Sequence, residues 1–77
     1  MTNNNTTTET KITYTKIATG EYLATFTLKG ISEQVAIKKV GNAHWKTDGS
    51  FMTESGFDAL GAVKGYLAYH VALAVAL

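Results

Sequence analysis

EYLATFTLKG, residues 21–30, is the stretch from which the fold can be read. Its side chains alternate. Tyr22, Ala24, Phe26 and Leu28 fall on one side, and Leu23, Thr25 and Thr27 on the other, which is the period of a strand. Aromatic and β-branched residues are frequent in it, and these suit a pleated surface. Lys29-Gly30 then closes the run with a turn signal.

The same pattern recurs on both sides. Upstream, Lys11 to Ile17 (KITYTKI) reads as a strand, joined to the first by Thr19-Gly20. Downstream, Glu33 to Val40 (EQVAIKKV) reads as a third strand and Ala43 to Thr47 (AHWKT) as a fourth, stopped by Asp48-Gly49-Ser50. Gly41-Asn42 suits a two-residue hairpin with glycine at its first central position. Gly20, Gly30, Gly41 and Gly49 all fall at turns, where a positive φ is useful.

Two registers compete around Gly41. A regular two-residue hairpin sets Ala36, Lys38, Val40 and Trp45 on one face, and Val35, Ile37, Lys39, His44 and Lys46 on the other. A bulge at Lys38-Lys39 instead gathers Val35, Ile37, Val40 and Trp45 toward one core. The bulge is preferred, because it keeps the apolar set together.

The period changes after the fourth strand. Ser55-Gly56-Phe57-Asp58 has the spacing of a capping box, with aspartate in the place of glutamate or glutamine, and predicts a helix from Ser55 to Leu77. Leu60, Val63, Leu67, Val71, Ala74 and Leu77 recur at spacings of three and four. Gly61, Gly65, Ala68, Ala72 and Ala76 form a second stripe of small residues, with Tyr66, Tyr69 and Leu73 between the two. The last seven residues also alternate with period two, but alanine and leucine favour helix and no turn signal precedes them.

The pattern predicts an α+β domain of two layers: a four-stranded antiparallel β-meander followed by one long C-terminal helix packed on one face (β-β-β-β-α). Residues 1–10 read as a disordered polar leader and 11–77 as a single small domain.

Composition narrows the function classes. A chain of 77 residues makes a marginal core on its own. It has no cysteine, which excludes disulfides and zinc–thiolate sites, and its two histidines are too few for a histidine-rich metal centre. Oligomerisation is the stabilising device left. All seven basic residues are lysine, against six acids. Without arginine the bidentate reading of guanine is missing, though lysine can still meet a phosphate backbone. The N-terminus lacks the parts of a signal peptide, so a cytoplasmic location is expected.

No catalytic signature appears, neither nucleophile elbow nor P-loop, dinucleotide fingerprint nor HExxH. The expectation is a protein that is not an enzyme and holds no cofactor and no metal. Asp48, Glu54 and Asp58 read as a turn residue, a solvated charge and a helix cap. His70, beside Tyr66 and Tyr69, reads as a half-buried histidine more readily than as a proton switch.

Two surfaces stand out. Gly61, Gly65, Tyr66, Ala68, Tyr69, Ala72, Leu73 and Ala76 form a candidate self-association face. A helix of about 34 Å would overhang strands of about 20–27 Å, which also argues for a second copy, most simply in a homodimer. Lys38, Lys39, His44, Trp45 and Lys46, extended by Lys11, Tyr14 and Lys16, form the alternative: a lysine and aromatic surface for single-stranded nucleic acid, or for an unidentified protein partner. A tail-anchored membrane helix over Ala59 to Leu77 is the third reading, disfavoured by Lys64 and His70. The small size and the Thr/Asn-rich leader suit an accessory protein of a virus or mobile element.

Overall fold

The computed structural model describes residues 11–77, so the leader predicted over 1–10 lies outside the described residues. The chain forms β1 (Thr13–Ala18), β2 (Glu21–Leu28), β3 (Ile31–Lys39), β4 (Trp45–Asp48) and β5 (Ser55–Phe57), then α1 (Leu60–Ala76). The strands pair in sequence order, each antiparallel to the next, in one sheet. The helix packs on one face. The fold is therefore the expected α+β meander with a C-terminal helix, with a fifth strand added.

The β2–β3 hairpin is its best-specified part. Its register runs without a break from Glu21 opposite Lys38 to Leu28 opposite Ile31. Lys29 and Gly30 both take positive φ, 51° and 83°, as a type I′ turn requires. Tyr22, Ala24, Phe26 and Leu28 face the helix, with Val35 and Ile37 beside them. From the other layer Val63, Leu67 and Val71 descend onto this face and close the core.

The Gly41 hairpin differs from both predicted registers. Lys39 pairs with Trp45, Lys38 with Lys46 and Ile37 with Thr47, with no bulge between Lys38 and Lys39. The amide of Val40 donates to His44 O at 2.8 Å, leaving Gly41, Asn42 and Ala43 as a three-residue loop in which Ala43 takes φ 52°. One extra loop residue shifts the pairing by one, and a shift of one turns every side chain to the other face. Trp45 thereby joins Val35 and Ile37 without a bulge, while Val40 is left exposed.

The predicted cap at Ser55 is replaced by a strand. Ser55 and Phe57 pair with Lys46 and Trp45, and Gly56 is the extra residue of a bulge at φ 90°. Pairing and partial burial of Phe57 outweigh a local capping motif. The helix then starts at Leu60, after an extended Ala59 that makes no side-chain cap. Its 17 residues span about 26 Å, comparable with the nine residues of β3 at about 30 Å. The predicted overhang is thus absent. Val71 to Ala76 are helical, and Leu77, assigned to the inner stripe, is 94% exposed. Among the described residues no helix is long and apolar enough to cross a membrane.

The segment from Gly49 to Glu54 folds back over the core. Thr47, 1% exposed, holds its end: its Oγ1 accepts from the Glu54 amide at 2.9 Å, and its own amide donates to Glu54 O at 2.8 Å. Met52 is buried, and Phe51 meets the Phe26 ring edge-on at 5.1 Å. Gly49 makes the fold-back sterically feasible. A Cβ there would lie 2.7 Å from Gln34 O and 3.1 Å from Val35 Cα. Its backbone is not in the positive-φ region, unlike that of Gly20, Gly30 and Gly41. Glycine is needed at residue 49 for close approach rather than for turn geometry.

Candidate interaction surface

The face of α1 turned away from the sheet exposes a run of apolar and small residues. With Val63, Leu67 and Val71 pointing inward, Gly61, Gly65, Tyr66, Ala68, Tyr69, Ala72, Leu73 and Ala76 are all exposed. Tyr69 keeps 60% of its surface in solvent and Leu73 46%. Only one charged residue lies in the helix, Lys64, and its Nζ sits 4.7 Å from the centre of the Tyr14 ring on β1. The outer face is consequently uncharged along its whole length. A surface helix usually sets charged residues toward water, and this one sets none on its outer face.

The outward residues form two lines. Gly61, Gly65, Ala68, Ala72 and Ala76 make a shallow track of small residues. Tyr66, Tyr69 and Leu73 make a ridge alongside it. The aromatic part of the ridge is braced. The Phe57 ring lies 5.3 Å from Tyr66, and His70 lies 4.4 Å from Tyr66 and 5.5 Å from Tyr69. His70 is thus half-buried between two tyrosine rings of its own helix.

The five residues of the lysine and aromatic surface do not share one face. Lys39 and Trp45 are opposite one another on the helix side of the sheet, whereas Lys38 and Lys46 are opposite one another on the reverse side. His44 is exposed in the loop. Tyr14 and Lys16 lie on the helix side, since their partners are Ala24 and Tyr22. Burial raises the Tyr14 phenol above its ordinary pKa by desolvation. The residue that sequence reasoning missed is Tyr22, whose ring centre stands 6.2 Å from that of Trp45. Only the true register reveals that contact.

On the reverse face of the sheet, Thr13 is paired to Thr25, Thr25 to Gln34 and Thr27 to Ser32, and Leu23 to Ala36 further along. Next to Lys11 the polar residues among these line a shallow open depression of about 580 Å³. Among the described residues, no group of histidine and carboxylate side chains could hold a metal ion. No protein-family model matches the chain, and neither a curated protein nor a solved structure is significantly similar to it.

Proposed function

We propose that the protein is a non-enzymatic interaction module that assembles with a second copy of itself through the outer face of α1. The observation that carries this reading is an exposed, uncharged helix face from Gly61 to Ala76. An apolar surface of this extent stabilises an assembly when it is covered. A second copy is favoured over a foreign partner because the face is complementary to itself. It carries a ridge (Tyr66, Tyr69, Leu73) and a track of small residues side by side. A two-fold axis near Ala68 and Ala72 would set each ridge in the other helix's track. No charge on the face selects a partner of opposite sign.

Light scattering or sedimentation on the full chain tests this directly. The expected species is a dimer at micromolar concentration. Gly65→Leu fills the track where no neighbouring atom lies within 4 Å, so it should give a folded monomer. Because the chain has no cysteine, Ala68→Cys should also cross-link copies on mild oxidation. A parent protein that stays monomeric up to about 100 μM, a concentration at which even a weak complex would populate, defeats the proposal.

A further inference from the structure

The turns at Gly20 and Gly41 lie at one end of the sheet, and the rungs nearest them collect residues far apart in sequence. Lys16 stands directly opposite Tyr22, and Lys39 directly opposite Trp45. All four lie on the face that carries Ile37 and Thr47. The Tyr22 and Trp45 rings are tilted by 44° and are half-buried, so each keeps part of its surface in solvent. Lys16 and Lys39 are exposed. The Lys39 amide donates to Gly20 O at 2.8 Å, and its Cβ lies 3.3 Å from where a Cβ on Gly20 would be. The lysine stem is therefore seated against the turn that begins β2.

On the reverse face of the same end, Lys38 stands opposite Lys46, with Glu21 on the other side of Lys38. Four of the seven lysines thus crowd into these rungs, and on the helix side the strands bring lysines with no acid. Like charges placed directly across a sheet are destabilising. Edge protection accounts for Lys16, on the edge strand β1, but not for Lys38, Lys39 and Lys46, since β3 is an interior strand and β4 is covered by β5. Packing accounts for the aromatic rings alone, but not for a lysine opposite each ring. An anion that also presents flat apolar rings would use Lys16, Lys39 and the two aromatic rings of the helix side together.

We propose that this end of the sheet binds single-stranded nucleic acid, with bases stacking on Tyr22 and Trp45 and phosphates held by Lys16 and Lys39. A single strand fits because its base faces are free to stack, whereas a duplex hides them. The site uses none of the outer helix residues, so it stands or falls separately from the assembly proposed above.

Trp45 is the only tryptophan, so its emission reports the site without a label. The full chain is titrated at low salt with an oligothymidylate and an oligouridylate of about a dozen nucleotides, within the usual site sizes of stacking binders. Quenching that saturates is expected, with a slope of log K against log salt of about −1.4 for two phosphate contacts. Lys16→Gln or Lys39→Gln should weaken binding about five- to tenfold at about 50 mM salt and flatten the slope by about 0.7. Tyr22→Ala should keep the slope and lose at least about fivefold in affinity. Lys29→Gln, at the opposite hairpin tip, should change nothing, and circular dichroism should show every variant folded. Binding of either polymer supports the site, and their ratio shows whether the sugar is read. Absence of quenching overturns it. So does a Lys29→Gln loss equal to that of Lys39→Gln, or a duplex bound as tightly as the single strand.

Discussion

Gly49→Ala isolates one steric contact. The added methyl would lie 2.7 Å from Gln34 O and 3.1 Å from Val35 Cα, and both neighbours are backbone of β3. Neither can swing aside as a side chain would. The backbone at Gly49 is outside the positive-φ region, so alanine meets no conformational penalty there and the whole cost is overlap. Overpacking of this kind costs about 1–3 kcal/mol. For a domain of this size each kcal/mol moves Tm by about 4–8 °C, so a drop of about 5–20 °C is expected. Gly65→Ala is the control. It adds the same methyl where nothing lies within 4 Å, in the middle of α1. Helix propensity should then raise stability by about 1 kcal/mol. Thermal unfolding followed by circular dichroism, at a dilution where association contributes nothing, reads both. A Gly49→Ala protein that melts at or above the parent temperature would refute the claim that this glycine makes room for β3.

Three further outcomes are expected. Thr47→Val removes the hydroxyl that accepts from the Glu54 amide, leaves that donor unpaired and should cost about 1–3 kcal/mol in urea unfolding. Leu67→Ala opens a cavity at a fully buried position and should cost about 2–5 kcal/mol by the same measurement. The third concerns alkaline pH. The Tyr14 pKa is raised in the folded chain by burial, so the native state holds that proton more tightly than the unfolded state does. Its contribution is complete below the ordinary tyrosine pKa of about 10 and is lost as pH climbs through the raised value. Tyr14→Phe should flatten that alkaline decline in stability, and an unchanged decline would show that Tyr14 is not its source.

Local and global signals agree over residues 21–37, which is why the central hairpin is legible from sequence, up to the bulge expected at Lys38-Lys39 and not found. Alternation places Ala24, Phe26, Val35 and Ile37 inward, and Lys29-Gly30 supplies the turn. Elsewhere the deciding information is not local. The face of Trp45 depends on Ala43 entering the left-handed region, which an alanine does not advertise. Ser55 to Asp58 matches a helix cap in spacing, and only the partner strand shows that Phe57 belongs opposite Trp45. Phe51 and Met52 carry no period. Their burial follows from the Thr47–Glu54 hydrogen bonds that turn the chain back. The same logic divides the candidate surfaces. The outer helix face was readable from its spacing. The grouping of lysines with aromatic rings required the register, which moved Lys38 and Lys46 away and brought Tyr22 in beside Trp45 and the already expected Lys16.

The order in which the strands pair also has a temporal meaning. Every strand is hydrogen-bonded to its neighbours in sequence, and no crossover interrupts the sheet. Closing each successive hairpin spans few residues and costs little chain entropy, so the barrier to folding is low for a β-rich protein. The β2–β3 ribbon, with its type I′ turn, is the natural nucleus. Docking of α1, which needs the sheet already formed, is expected to follow on the downhill side. Weakening Gly30 should therefore slow folding, whereas weakening Leu67 should chiefly hasten unfolding. The helix is, on this view, also the latch that sets how long the protein stays folded.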